Sequence, residues 1–230
     1  MTWVKICGMT NLEDALVAVE AGADAVGFVF YEKSPRYVSV EAAREIVAKL
    51  PEKVEKVGVF AGDSLARAGE IGTAVALDSL QVYPLSVPKD GAASVECSHA
   101  KPTTQKRIYF ALPIQQFLSE EQAITLDVVA KSEGGFSALL LDSGGSQRPG
   151  GTGLPFDWNK AAPLVTQLSR TEYVVIAGGL TPVNVGEAIG ILQPWGVDVV
   201  SGVEARPGKK DPDKVRAFVR AVREMDRKVS

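Results

Sequence analysis

Short runs rich in Val, Ile, Phe and Leu alternate with longer segments whose apolar residues recur at helical spacing, nearly from end to end of the chain. The short runs predict strands at 3–7 (WVKIC), 25–30 (AVGFVF), 56–60 (KVGVF), 79–83 (SLQVY), 107–111 (RIYFA), 138–142 (ALLLD), 173–177 (YVVIA) and 197–201 (VDVVS). The helical period predicts helices at about 12–21, 40–50, 64–75, 119–132, 159–168, 183–192 and 212–226. Asn11 or Thr10, Ser39 and Ser119 are suited to N-cap positions, and Thr181-Pro182 sets a proline at a first helical turn. After the fourth strand the chain reads PLSVPKDGAASVECSHAKPTT. Its prolines and weak period predict a short helix or an irregular connection there.

Eight strands interleaved with helices, with no linker-like break over 230 residues, predict one α/β domain spanning 1–230. A closed (β/α)8 TIM barrel fits that length better than an open sheet. A doubly wound sheet would announce itself by a glycine-rich phosphate turn after the first strand, and that turn here is CGMTN. In a barrel, function collects at the C-terminal strand ends and the loops after them. That singles out Cys7, Gly8, Asn11, Phe30, residues 34–37, Phe60, Gln81, Tyr83, Asp142 with its loop to Gly153, residues 177–180, and residues 201–204.

Composition removes several function classes. With 25 basic and 28 acidic residues the net charge is -3, too balanced for a chain built to bind nucleic acid. A single histidine, His99, and two cysteines, Cys7 and Cys97, cannot supply a His- or Cys-rich metal cluster, which leaves a carboxylate site as the open alternative. His99 sits near Ser98, Lys101 and Pro102 in a polar stretch that reads as surface loop, so serine-histidine catalysis has no support. No segment approaches the ~20 apolar residues of a membrane span, and MTWVKICGMT lacks the pattern of a signal peptide. A cytoplasmic, reducing setting is expected, with both cysteines as free thiols.

Alternation in the first strand puts Val4 and Ile6 toward the helices and Lys5 and Cys7 toward the barrel axis. A lysine buried there needs an anionic partner, and its charge would favour a thiolate at Cys7. Cys7 is then either a reactive thiol or a small apolar filler. Asp142 closes the apolar run of strand six and also faces inward by alternation, as a functional carboxyl or as a cap for its loop. Together, Cys7 and Asp142 would supply an acid and a base across one pocket, as needed to take a proton from carbon while protonating oxygen. The loop SGGSQRPGGTG is glycine-rich enough for a lid or a backbone cradle. The turns AGGL at 177–180 and SGVE at 201–204 follow strands seven and eight, where barrels bind phosphate through backbone N–H groups. Arg36 follows a proline in SPRYVS, and its planar fork suits a carboxylate or a phosphate.

These residues carry a resemblance. KICGMT at 5–10, GADAVGFVF at 22–30, SPRYVS at 34–39, VGVF at 57–60, LLLD with GGTG at 139–153, FDW at 156–158, AGGLTPVNV at 177–185 and SGVEARPGKKD at 201–211 occur in the order seen in the phosphoribosylanthranilate isomerase family of tryptophan biosynthesis. The resemblance implies a (β/α)8 barrel that converts N-(5-phosphoribosyl)anthranilate to 1-(2-carboxyphenylamino)-1-deoxyribulose 5-phosphate by Amadori rearrangement. It implies Cys7 as general base and Asp142 as general acid, with activity falling at low pH as Cys7 is protonated and at high pH as Asp142 loses its proton. It further implies that Arg36 and Gln81 contact substrate, Arg36 at the anthranilate end, while Gly178, Gly179, Ser201 and Gly202 cradle phosphate. The partner is thus a small phosphorylated aminosugar; no metal or cofactor is needed, and monomer and homodimer both remain open. One position departs from the family: where it usually reads Gln-Leu-His-Gly, this chain reads Gln81-Val82-Tyr83-Pro84. That departure leaves room for a phosphate-ligand barrel with altered catalysis. A related aminoaldose isomerase of histidine biosynthesis would carry an aspartate where Cys7 stands.

Overall fold

The computed structural model describes residues 1–83, 106–118, 136–144 and 155–229. The strands are β1 (Trp3–Cys7), β2 (Ala25–Val29), β3 (Glu55–Ala61), β4 (Ser79–Tyr83), β5 (Arg107–Pro113), β6 (Ala138–Asp142), β7 (Val174–Ala177) and β8 (Gly196–Val199). They pair in parallel and in sequence order, and β1 pairs with β8, so the sheet closes into the expected barrel. Described helices are α1 (Leu12–Ala21), α2 (Val40–Val47), α3 (Leu65–Val75), α4 (Trp158–Leu168), α5 (Val185–Leu192) and α6 (Pro212–Val229). The helix expected at 119–132 with its Ser119 cap, the connection 84–105 with Cys97 and His99, and the glycine-rich loop beyond Gly144 lie outside the described residues.

Local chemistry sets the helix starts. Asn11, Ser39, Ser64 and Asp157 each accept a hydrogen bond from the backbone N–H three residues on, satisfying a donor that the first turn leaves open. α5 begins two residues later than predicted. Thr181 and Asn184 bond each other's backbone N–H reciprocally, at 2.7 Å and 3.3 Å, which holds 181–184 as a turn before the helix. β8 ends at Val199 rather than at 201, because Ser201–Val203 coil into a 3-10 turn. That turn leads into a small hairpin absent from the predicted elements, β9 (Glu204–Arg206) and β10 (Lys209–Lys210), turned at Gly208 with φ of 79°.

Strand register sorts side chains into two cores. Outward residues such as Val4, Ile6, Phe28, Leu139 and Ile176 pack beneath the helices. Inward residues Ala25, Val57, Tyr109, Ala138, Leu140 and Val175 fill the barrel. Lys5, Gln81 and Asp198 are polar members of that interior, and each is almost wholly buried. Among the described residues, no helix is long and apolar enough to cross a membrane.

Candidate active site

Cys7 is the last residue of β1 and faces inward as alternation predicts. Its sulfur lies over Gly27, its register partner on β2, where a Cβ would sit 2.5 Å from Sγ. Only glycine leaves room for the thiol there. The chain then leaves the barrel through Gly8, whose φ of 84° lies in the left-handed region, and the N–H groups of Gly8 and Met9 both bond Gly27 O. A Cβ on Gly8 would crowd the Arg36 stem at 3.0 Å, so this turn also brings Arg36 beside the end of β1.

Below Cys7, Lys5 has the anionic partner that its burial demands. Its Nζ is 2.9 Å from Asp198 Oδ1 on β8 and donates to Gln81 Oε1 at 2.9 Å. Burial pushes the Cys7 thiol above its ordinary value; Lys5 and Lys210 oppose that rise and the Asp198 charge adds to it. Lys5 therefore acts in the expected direction, yet its charge is shared with Asp198 and does not outweigh desolvation. Lys5 in turn is held above the usual lysine range: burial works against its charge, and Asp198 and Cys7 more than compensate.

Asp142 closes β6 and is 5% exposed. Gly144 N–H donates to its Oδ1 at 2.5 Å and the Tyr83 hydroxyl to its Oδ2 at 3.3 Å. Burial raises this carboxyl, and the Asp198 charge adds to the rise. The bonds from Gly144 and Tyr83 and the charge of Lys5 reduce it without cancelling it. Along the rim, Cys7 and Asp142 are separated by β7 and β8.

The two glycine turns lie against each other. Gly178 and Gly179 both have positive φ, and a Cβ on Gly178 would overlap the hydroxyl and backbone nitrogen of Ser143, next to Asp142. A Cβ on Gly202 would overlap Leu180 O, so the Ser201-Gly202 backbone packs on the 178–181 turn. Asn184 at the start of α5 pins that turn by donating to Gly179 O at 3.0 Å. The four residues expected at a phosphate are thus together, beside the strand end that carries Asp142.

Arg36 is not loose. Its Nε and Nη2 donate to the two oxygens of Glu204 at 3.2 and 2.7 Å, a bidentate pair, and its Nη1 makes no hydrogen bond among the described residues. Glu204 also accepts from Gly208 N–H and Lys210 Nζ. Burial would raise its carboxyl, but Arg36, Lys210 and the Gly208 bond hold it below the usual range. Gln81, expected at the substrate, is 2% exposed and lies beneath the mouth, bonded to Lys5 and Tyr83. Sequence reasoning missed Asp198, Gly27 and Lys210. Asp198 carried a readable signal, a charge inside an apolar run. The described residues hold no group of three or more His, Cys, Asp or Glu placed for a metal ion.

Comparison with known proteins bears on this geometry. The family model for N-(5'-phosphoribosyl)anthranilate (PRA) isomerase matches residues 4–221. The N-(5'-phosphoribosyl)anthranilate isomerase of Pseudomonas fluorescens strain Pf0-1 is 44% identical over 219 residues, covering 95% of this chain and 97% of that protein. A crystal structure of phosphoribosyl anthranilate isomerase in complex with reduced 1-(o-carboxyphenylamino)-1-deoxyribulose 5-phosphate superposes with a TM-score of 0.77 at 38% identity, over 97% of this chain and 100% of that one. The Thermotoga maritima enzyme superposes with a TM-score of 0.79 at 37% identity, over the same shares of the two chains. Matches along nearly the full length, on a closed barrel with an inward thiol and carboxyl at its C-terminal rim, show that the chain belongs to the N-(5'-phosphoribosyl)anthranilate isomerase family.

Proposed function

We propose that this chain converts N-(5'-phosphoribosyl)anthranilate to 1-(2-carboxyphenylamino)-1-deoxyribulose 5-phosphate, with Asp142 as general acid and Cys7 as general base. The observation that carries the assignment is one buried rim holding both groups, each facing inward and each with its ionisation displaced by its surroundings. Asp142 gives its proton to the furanose ring oxygen, and the C1–O bond breaks to leave a protonated Schiff base with anthranilate nitrogen. The Cys7 thiolate removes the proton from C2, and its electron pair forms the C1–C2 double bond of an enolamine, neutralising the iminium. Proton return to C1 with loss of the 2-hydroxyl proton gives the ketone.

The backbone around Gly178, Gly179, Ser201 and Gly202 suits the 5-phosphate, since positive-φ glycines turn N–H groups outward and exclude side chains that would fill the space. Arg36, fixed by Glu204, offers its remaining edge to the anthranilate carboxylate. The residues supply acid, base and anion contacts themselves, so turnover is expected without added metal or cofactor. A cytoplasmic, reducing location suits a working thiol, and the reading is compatible with a monomer or a homodimer.

The test is turnover followed by loss of substrate fluorescence. Cys7→Ala and Asp142→Asn are each expected to lower the rate by about 10² or more, and Arg36→Ala to raise KM more than it lowers kcat. Full turnover in both Cys7→Ala and Asp142→Asn would sink the assignment.

A further inference from the structure

Four side chains form an unbroken polar path beneath the mouth of the barrel. Lys5 Nζ donates to Gln81 Oε1 at 2.9 Å, Gln81 Nε2 donates to the Tyr83 hydroxyl oxygen at 3.4 Å, and Tyr83 O–H donates to Asp142 Oδ2 at 3.3 Å. Chemistry sets these directions. An ammonium has no acceptor, so the amide oxygen of Gln81 must face Lys5 and its NH2 must face Tyr83. With a donor on its oxygen, the phenol is left to point its single proton at Asp142.

We infer that Tyr83 is a positioning residue for the proposed acid, its hydroxyl fixing Asp142 Oδ2 and stabilising the carboxylate that remains when Asp142 gives up its proton. The inference rests on the reading of Asp142 as the acid. Gly144 N–H takes Oδ1 at 2.5 Å, so Oδ2 is the oxygen left to carry the transferable proton. Oδ2 has two acceptor directions, one for Tyr83 and one for that proton. After transfer the proton is on the sugar oxygen, the charge is on Asp142, and the Tyr83 bond becomes charge-assisted and stronger. Tyr83 therefore favours the product side of the proton transfer, where burial and Asp198 both work against an ionised carboxyl.

The path positions groups and is not a proton wire. A proton moving through Gln81 would require an imidic acid, and the Tyr83 phenol holds its own proton far more tightly than usual, because burial and the neighbouring Asp142, Asp198 and Cys7 all oppose a phenolate. Among the described residues, the charged groups that weigh most on Asp142 are Asp198 and Lys5. Its register partner on β5 is Pro113, and on β7 Ile176 lies opposite Leu141, so neither flank adds a charge.

The experiment is a titration of Asp142 without substrate, by NMR of protein labelled with 13C at aspartate carboxyls, in wild type and Tyr83→Phe. Phenylalanine keeps the ring that packs against the barrel interior and removes only the hydroxyl. The midpoint is expected to rise by about 0.5 to 1 pH unit, with kcat falling about 10-fold and KM held within about 2-fold. Tyr83→His, which restores a ring N–H donor, is expected to bring the midpoint most of the way back. An unmoved midpoint in Tyr83→Phe overturns the proposal whatever the rate does. If Tyr83→Phe fails to fold, Gln81→Met removes the donor that orients the phenol; a smaller upward shift supports the proposal and an unmoved midpoint overturns it. Full turnover by Asp142→Asn would overturn the acid role itself, and it is distinguishable because the titration shift would persist.

Discussion

The barrel interior holds two carboxylates that each meet a tyrosine, one at either end. At the N-terminal end Glu55 of β3 accepts from the hydroxyls of Tyr109, at 2.7 Å, and Ser79, with Arg107 3.9 Å away. These partners start on the adjacent strands β4 and β5, so one side chain staples three strands at the base. At the C-terminal end Asp142 has Tyr83 at 3.3 Å and a backbone N–H, while the lysine that acts on it, Lys5, is already paired with Asp198. The same residue pair thus serves two ends. Where hydroxyls and an arginine converge, the carboxylate serves the fold; where burial and a like charge prevail, the carboxyl holds its proton more tightly and is equipped to give it away.

Lys5 lies in the layer between the two ends, so replacing it tests how far the structural half extends. Lys5→Met leaves Asp198 buried without its cation, and a loss of about 3–5 kcal/mol in urea unfolding is expected. Combining it with Asp198→Leu removes the uncompensated charge and is expected to recover much of that stability. A loss under about 1 kcal/mol in the single variant would mean that water, not Lys5, neutralises Asp198.

Exchanging each carboxylate for its amide breaks the comparison more gently. Glu55→Gln replaces an acceptor with a group that also donates, and is expected to cost about 1–3 kcal/mol while leaving turnover within about 2-fold. Asp142→Asn is expected to do the reverse at neutral pH. The folded protein holds the Asp142 proton more tightly than the unfolded chain does, so this carboxyl's contribution is full below the unfolded value near pH 4 and is lost as pH rises through the folded one. The amide does not titrate, so the variant should unfold at higher denaturant than wild type above that range. Equal stability losses in both variants at pH 7 would erase the distinction between the two ends.

Much of the top end was legible in the sequence, for a physical reason. Period-2 alternation faces Cys7 and Asp142 inward without any knowledge of their neighbours, and the parallel arrangement gathers strand ends at one rim. Contacts that depend on register or distance along the chain were not legible. Gly27 makes room for the Cys7 sulfur only because β1 and β2 pair as they do. Arg36 and Glu204, 168 residues apart, meet only through a hairpin whose Pro207-Gly208 turn the helical and strand periods do not register. Asp198 lies between in kind: the rule that flagged Asp142, a charge in an apolar run, applies equally to VDVVS, and the need for an anion beside Lys5 pointed to it.

The pH profile is the finest probe of the difference between the ends, and the two upward shifts predict limbs assigned the opposite way from the expectation drawn from the sequence. Burial pushes both groups up, Cys7 from an ordinary value of about 8.5 and Asp142 from about 3.9, so the expected order keeps the thiol above the carboxyl. The working form needs the group of higher pKa deprotonated and the group of lower pKa protonated. Its population rises with pH until Asp142 begins to ionise, stays level while one group's gain cancels the other's loss, and falls once Cys7 is fully thiolate. The profile of kcat/KM is therefore a bell whose acid limb reports Asp142 and whose alkaline limb reports Cys7. The pH dependence of Cys7 alkylation in the free protein is expected to share the midpoint of the alkaline limb. Coincidence with the acid limb instead would mean that Lys5 and Lys210 outweigh burial at the sulfur, leaving Cys7 a thiolate at neutral pH.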